Sequence, residues 1–331
     1  MRLRRVSPAS PGWTRRRSGR GFRYLDEAGR PLGAEEVARI RALVIPPAWQ
    51  EVWICPHPRG HLQATGIDVA GRRQYLYHPA WRERRDEEKF ARVAAAARLL
   101  PAARRRIAAD LDLPGVPLER AAATAARLLD LGAFRIGNDY YADANGSFGL
   151  STLERRHLRR SGDRLTFRFP GKSGVQHTVV IEDPLSVAAI EAMRARRGSP
   201  RLFAYRGPSG WFDLSSGHVN TYLADLFGGV FTAKDFRTWH ATVLAARELA
   251  ITGPAASATA RKRAVRAAVV AVSGYLGNTP TIARASYVDP RVLDLYESGT
   301  TIREALGRTR PERASQATLE RAVLGLLAPP G

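Results

Sequence analysis

Short alternating runs of apolar and polar residues, broken by glycine and proline, fill the first quarter of the chain. They include FRYLD, EVWICP, HLQATGIDVAG and RRQYLYHP. A period of two residues is typical of strands, because successive strand side chains face opposite sides of a sheet. One helical stretch, GAEEVARIRAL, interrupts them. The pattern predicts a small β-rich domain over residues 21–84, preceded by a flexible basic arm over residues 1–20.

From residue 85 onward, apolar positions recur every three or four residues, the spacing of helices packed on one face. Between two groups of such helices, LTFRF and VQHTVVIED alternate on either side of PGKSG, the pattern of a β-hairpin. We therefore expect an α+β fold whose larger, mainly helical domain spans residues 85–331 and carries this hairpin. The predicted helices are DEEKFARVAAAARLL, ARRRIAADLDL, LERAAATAARLLDLG, DPLSVAAIEAMRAR, LSSGHVNTYLADLFG, AKDFRTWHATVLAARELA, ARKRAVRAAVVAVSGYLG, DPRVLDLYESG and LERAVLGLLA.

The charge balance points to a polyanionic partner. Lys and Arg number 52 against 31 Asp and Glu, a net charge of +21, and neutralising phosphates releases counterions and drives binding. Nucleic acid is the first candidate and an anionic membrane surface the second. No apolar run approaches the roughly 18 residues of a membrane span, and the arginine-rich start lacks a signal core. A single cysteine, Cys55, excludes an intrachain disulfide and fits the cytoplasm.

Several common chemistries have no motif in this chain. HExxH, CxxC, GxxxxGK[ST] and GxSxG are absent, and the seven histidines are scattered. The sequence therefore predicts neither a metal site nor a bound cofactor. What it offers is phosphoryl chemistry from arginine, lysine and tyrosine. Arginines offset the charge of a phosphodiester, tyrosine attacks it, and lysine protonates the departing alkoxide.

Four segments carry residues suited to that chemistry. FRIGNDYY contains Arg135, and FPGKSG places Lys172 at the predicted hairpin tip. TAKDFRTWHAT contains Arg237 in the predicted first turn of a helix. LGNTPTIARASYVDP contains Asn278 and Tyr287.

Lys172 stands out because lysine is rare in this chain. Of the 52 basic residues only four are lysine, at positions 89, 172, 234 and 262. Arginine rarely releases a proton, so a lysine at a turn of an arginine-rich protein indicates a demand for a transferable proton.

The order and spacing of RIG, GKSG, KDFRTWH and SYVDP resemble the type IB topoisomerases of bacteria and poxviruses, over roughly residues 22–300. The resemblance implies the catalytic fold that this family shares with the tyrosine recombinases. It also implies relaxation of supercoiled duplex DNA without ATP or metal. Arg135 and Arg237 would clamp the scissile phosphate, Lys172 would protonate the 5′-oxygen, and Tyr287 would form a 3′-phosphotyrosyl bond. Asn278 replaces the histidine of the poxvirus enzymes, and its amide still donates a hydrogen bond without becoming cationic.

The same resemblance implies a monomer that encircles DNA as a clamp, with its N-terminal domain in the major groove. The residues expected to contact DNA are Gln74, Tyr75, Tyr77, Asn138, Tyr141 and Lys234.

Two alternatives remain open on sequence grounds. A tyrosine recombinase shares the Arg, Lys, Arg and Tyr chemistry, but such enzymes typically carry HxxR where this chain has Lys234 in KDFR. The β-rich N-terminal domain also differs from the usual helical domain of recombinases. The second alternative is a basic DNA-binding protein without catalytic activity, which the composition alone would permit.

Overall fold

The structure, a computed structural model, describes residues 1–139, 142 and 146–328. It divides into two compact units, Met1–Lys89 and Phe90–Gly331. The first unit is β-rich and the second is mainly helical, which confirms the α+β class. The described residues contain twelve α-helices and ten strands.

A five-stranded antiparallel sheet forms the first unit. Its strand order is β2-β1-β3-β4-β5, and one face packs on helix α1 through the buried side chains of Ile40, Val52 and Ile54. Cys55 is fully buried beside them. The elements are β1 Trp13–Ser18, β2 Gly21–Leu25, α1 Ala34–Ala42, β3 Gln50–Ile54, β4 Leu62–Ile67 and β5 Arg73–Tyr77.

The expectation of a flexible arm over residues 1–20 is wrong for its second half. Trp13–Ser18 is an interior strand, paired with β2 on one side and β3 on the other. Its run of three arginines looks like a solvated tail, but backbone hydrogen bonds to both neighbouring strands hold it, and the Arg15 guanidinium donates to the carbonyls of Ile45, Pro46 and Trp49. The first residues are also attached, because Arg4 bonds through its backbone to Arg59 and His61.

Helices of the second unit pack around a large apolar core. Its centre holds aromatic side chains such as Trp239 and Phe236, together with the ring pair Phe227 and Phe231 at 4.6 Å. The helices are α2 Pro79–Ala97, which crosses the unit boundary, α3 Leu100–Leu111, α4 Leu118–Leu131, α5 Pro184–Arg194, α6 Ser216–Phe227, α7 Ala233–Thr252, α8 Ala258–Leu276, α9 Pro280–Ser286, α10 Pro290–Glu297, α11 Arg303–Leu306 and α12 Gln316–Leu326.

The predicted hairpin is confirmed and is part of a three-stranded sheet. Strands β7 Arg164–Pro170 and β8 Gln176–Glu182 pair in the order β6-β7-β8, with β6 at Leu158–Ser161. A single 3-10 turn over Lys172–Gly174 closes the tip. A second hairpin, β9 Ala204–Gly207 and β10 Gly210–Asp213, was not predicted because its strands are too short to show a period.

Gly132 ends helix α4 for a reason other than the left-handed cap that glycine often provides. Its φ is −135°, an extended conformation open to any residue. A side chain there would instead meet the ring of Phe134 and the side chain of Val179, at 2.9 and 3.1 Å from the Cβ position. Close packing against the β7–β8 hairpin therefore requires this glycine.

Candidate active site

Arg135, Arg237, Asn278 and Tyr287 form one cluster in the second unit, although 152 positions separate the first from the last. A hydrogen bond joins the Arg135 guanidinium to the side-chain oxygen of Asn278. The guanidinium carbon of Arg237 lies 5.4 Å from the centre of the Tyr287 ring. The structure thus brings together four of the five residues predicted to be catalytic.

Arg135 is held by its neighbours in the loop after α4. Phe134 is buried edge-on against Phe167, with ring centres 5.1 Å apart. The carbonyl of Arg135 accepts a hydrogen bond of 2.8 Å from the amide of Leu150. The side chain therefore projects from a fixed backbone.

Arg237 is 2% exposed and has no carboxylate partner among the described residues. Its two terminal nitrogens donate to the carbonyls of Ala133 and of Leu276, the latter at 2.8 Å. Burial and the charge of Arg135 lower the pKa of Arg237 to about 10, which leaves it cationic at neutral pH. Burying an unpaired cation is costly, so such a group indicates a site that awaits an anion.

Helix α7 begins with a capping box, and Arg237 is its fifth residue rather than, as predicted, a residue of its first turn. The carboxylate of Asp235 accepts from the backbone amide of Thr232 at 2.9 Å and from its hydroxyl at 2.7 Å. Asp235 also binds Arg92 with both oxygens. Arg237 thus lies beyond the free amides of the helix start, and its own guanidinium supplies the charge.

Two nitrogen donors of the cluster are buried and lack an acceptor among the described residues. They are Nε of Arg237 and the side-chain nitrogen of Asn278. Buried donors without acceptors are uncommon in folded proteins. Both belong to residues that surround Tyr287 or contact Arg135, so the site presents hydrogen-bond donors to a ligand rich in oxygen.

Tyr287 is half-buried directly after helix α9, and its environment favours the ionised phenol. Burial acts to raise the pKa of Tyr287. The positive charges of Arg237, Arg135 and Lys234, with a hydrogen bond from Arg237, outweigh it and leave the pKa below that of an ordinary tyrosine. A phenolate is the stronger nucleophile.

Thr242, which the sequence did not single out, ties the Tyr287 segment to helix α7. Its hydroxyl lies 3.3 Å from the carbonyl of Tyr287 and accepts from the amide of Asp289 at 3.1 Å. Since Arg237 lies on the same helix, one rigid element positions both the arginine and the tyrosine.

Lys172 occupies the hairpin tip, as predicted, and its side chain is exposed. Among the described residues it makes no hydrogen bond or ion pair. Lys234 is exposed on α7 and acts on Tyr287 through its charge. Asn138 is exposed after Gly137, and Tyr141 lies outside the described residues. Within the described ranges, no helix is long and apolar enough to cross a membrane.

On strand β5 the predicted DNA-contact residues divide between two faces. Tyr75 and Tyr77 are exposed side by side, with nearly parallel rings 6.2 Å apart. Gln74 lies on the opposite face, where its amide donates to Asp68 at 2.8 Å. The two tyrosines form the accessible surface, whereas Gln74 braces the turn before the strand.

Comparisons with known proteins match the chain to DNA topoisomerases. The family model of the eukaryotic DNA topoisomerase I catalytic core matches residues 78–310, and that of the bacterial DNA topoisomerase IB N-terminal domain matches residues 21–68. DNA topoisomerase 1B of Acanthamoeba polyphaga mimivirus is 28% identical over 87% of this chain and 88% of its own length. DNA topoisomerase 1 of Schizosaccharomyces pombe is 30% identical over 40% of this chain and 16% of its own length.

These matches place the chain in the class of type IB DNA topoisomerases, which are isomerases that act on DNA. Within that class, the chain belongs to the family of the eukaryotic DNA topoisomerase I catalytic core, because that family's model covers most of its length.

Proposed function

We propose that the chain relaxes supercoiled duplex DNA by cutting one strand through a 3′-phosphotyrosyl intermediate, letting it rotate, and resealing it. Family membership supports the enzyme class. The observation that carries the mechanism is a pair of buried donors, on Arg237 and Asn278, that have no acceptor in the described part of the chain. Arg237 lies against the Tyr287 ring.

The phosphate site has its own positive charge. Arg135, Arg237 and the amide of Asn278 bind the non-bridging oxygens and stabilise the extra charge of the transition state. Because two fixed guanidinium groups supply this charge, we propose that the reaction needs neither a metal ion nor ATP.

The step itself is a reversible ester exchange. Tyr287 loses its phenolic proton to solvent, and its oxygen attacks phosphorus as the bond to the 5′-oxygen breaks. Lys172 gives a proton to that oxygen, which leaves as a hydroxyl. The new phosphotyrosyl ester retains the bond energy, so attack by the 5′-hydroxyl reseals the strand with the reverse proton transfers.

We further propose a division of labour between the two units. The exposed Tyr75 and Tyr77 of the first unit would contact the duplex, and the second unit, which contains Lys234 and Asn138, would hold the scissile strand. The second unit would have the fold shared with tyrosine recombinases, and the chain would act as a monomeric clamp in the cytoplasm, on the nucleoid.

The test is relaxation of supercoiled plasmid with EDTA present and ATP absent. We expect relaxed topoisomers from the wild-type chain and none from Tyr287→Phe, which should still bind duplex DNA. The matched control is Tyr205→Phe, a half-buried tyrosine on β9, which should relax plasmid normally. Tight binding without relaxation by the wild type would favour the non-catalytic alternative.

A second assay tests the nucleophile, and its DNA products distinguish the chain from a recombinase. The reaction is run with duplexes labelled at the 5′ end or at the 3′ end of the cleaved strand, and denaturant is added to trap the intermediate. The protein should be attached to the 5′-labelled fragment, through the 3′-phosphate at the cut. An adduct formed by Tyr287→Phe would disprove the nucleophile assignment. Recombinant products from two duplexes would favour the recombinase alternative.

A further inference from the structure

His177 joins three segments of the site, although the proposed mechanism assigns it no step. It lies on the inward face of strand β8 with Val179 and Ile181. Its ring is nearly parallel to that of Phe169, its partner on β7, with centres 5.5 Å apart. Its Nε2 is 3.5 Å from a terminal nitrogen of Arg135.

Two glycines make room for this ring, and each precedes a site residue. Gly171 comes directly before Lys172, and Gly277 comes directly before Asn278. A side chain on either glycine would collide with the imidazole. Gly277 also has a φ of +61°, which glycine adopts readily. His177 therefore fills the space between the hairpin tip and the end of helix α8.

We propose that His177 is a positioning residue, which holds Arg135 and the hairpin tip of Lys172 in the arrangement needed for attack by Tyr287. This inference rests on the proposed function. An arginine can only donate hydrogen bonds, so Nε2 of His177 must accept from Arg135 and must be unprotonated to do so.

The charges around His177 keep it in that state. The charged groups that face its ring from neighbouring elements, among the described residues, are Arg135 after α4 and Arg237 on α7. Burial, and then these two cations, lower the pKa of His177 below its ordinary value. At neutral pH the ring is therefore neutral. In acid it would gain a proton, lose its acceptor, and place a third cation beside the two arginines.

The experiment measures single-turnover strand cleavage by the full chain at saturating DNA, from pH 5 to 9. His177→Phe fills the same space without an acceptor, and His177→Gln offers an acceptor that does not titrate. We expect His177→Phe to cleave roughly 10- to 100-fold more slowly with unchanged DNA affinity, the scale expected for a misaligned site. His177→Gln should recover most of the rate. His218→Gln, which changes a histidine whose ring accepts from the amide of Ser215 at the start of α6, is the matched control and should behave as wild type.

The pH profile distinguishes positioning from packing. Below the pKa of His177, the wild-type cleavage rate should fall more steeply with acid than the rate of His177→Gln. In the wild type both Tyr287 and His177 must be unprotonated, whereas in His177→Gln only Tyr287 must be. Equal slopes of rate against pH in the wild type and His177→Gln would overturn the inference. So would cleavage by His177→Phe at the wild-type rate. Equal losses of rate or of DNA affinity in His177→Phe and His177→Gln would also overturn it. A wild-type chain that forms no adduct would overturn the proposed function, and the inference with it.

Discussion

At the residue scale, the charges nearby set Tyr287 apart from Tyr275, which lies twelve positions earlier in the sequence. Tyr275 is 39% exposed, but its hydroxyl lies 3.5 Å from His240, and desolvation of that hydroxyl raises the pKa of Tyr275 to about 12 despite the charge of Arg237. Around Tyr287 the cations outweigh burial. The two tyrosines therefore differ in their readiness to ionise, and Tyr287 is the one suited to attack.

This electrostatic difference predicts a pH dependence. In the proposed mechanism the phenolate of Tyr287 attacks the strand, so the single-turnover rate should rise with pH and level off below the pH at which an ordinary tyrosine ionises. Lys234→Gln removes one of the charges that stabilise the phenolate, so the plateau should move to higher pH. Lys262→Gln, an exposed lysine on α8, is the control. An unchanged profile in Lys234→Gln would contradict the assignment.

Lys172 has its own prediction, which depends on the leaving group. Lys172→Ala should slow cleavage of a normal strand by roughly 100- to 10,000-fold, the usual contribution of a general acid. A 5′-bridging phosphorothiolate leaves as a thiolate that needs no proton, so it should restore most of the rate. Lys262→Ala should cleave both substrates normally. Equal slowing of both substrates by Lys172→Ala would show that the lysine only binds phosphate.

The sequence singled out the residues proposed to react but not those proposed to position them. Lys172 stood out because lysine is scarce, and Tyr287 because of its motif. His177 and Thr242 gave no such signal, since a histidine or threonine on an apolar face is ordinary in a core. The sequence offered one clue to His177. The alternation along strand β8 places it on the same face as Val179 and Ile181, close to the turn that contains Lys172. Their roles depend on contacts between segments distant in sequence.

At the element scale, helix α12 at the end of the chain is tied to α3 and α4 by a buried charge network. Arg104 on α3 binds both oxygens of Asp130 at 2.8 Å and both oxygens of Glu320 at 2.6 and 2.8 Å. Asp130 also lies 3.4 Å from His240 on α7. Since α4 leads to Arg135 and α7 holds Arg237, this network braces both helices behind the phosphate site.

The network predicts unequal losses of stability from its members. Arg104→Met should lower the free energy of unfolding by about 3–5 kcal/mol, because it leaves two buried carboxylates without a cation. Glu320→Gln should lower the free energy of unfolding by less, about 1–3 kcal/mol, because Arg104 still pairs with Asp130. Urea unfolding of the full chain measures both. Glu248→Gln, in a half-exposed pair with Arg247 at 3.5 Å, should change stability by less than about 1 kcal/mol. A smaller loss in Arg104→Met than in Glu320→Gln would contradict this account.

Ten of the twelve described helices were predicted from sequence, whereas the short helices α9 and α11 and several strands were not, for a physical reason. A helix such as α2 shows its buried face in its own sequence period, because Phe90, Val93 and Ala97 are buried at spacings of three and four residues. Strand β1 forms by backbone pairing with β2 and β3, and four of its six side chains are exposed, including those of Arg16 and Arg17. Strands β9 and β10 have four residues each, too few for a pattern. Pairing between segments, rather than local composition, determines these elements.

At the scale of the whole molecule, the net charge of +21 should make DNA binding strongly dependent on salt. Each phosphate neutralised by the protein releases counterions, so the logarithm of the binding constant falls linearly with the logarithm of salt concentration. For roughly 6–10 phosphate contacts, the slope would be about −5 to −9. Tyr287→Phe permits this measurement without cleavage, and a slope near zero would show that charge does not drive binding.

The slope also separates the two kinds of contact proposed for DNA. Lys234→Gln, made in the Tyr287→Phe background, removes one cation and should reduce the steepness by about one. Tyr75→Ala and Tyr77→Ala remove exposed rings that carry no charge, so they should weaken binding by about the same factor at every salt concentration and leave the slope unchanged. Tyr24→Ala, a half-buried ring on β2, offers a control for loss of a tyrosine elsewhere in the same sheet. A change of slope in the Tyr75 or Tyr77 variants would mean that these rings act by positioning nearby arginines, such as Arg73, and do not contact DNA themselves.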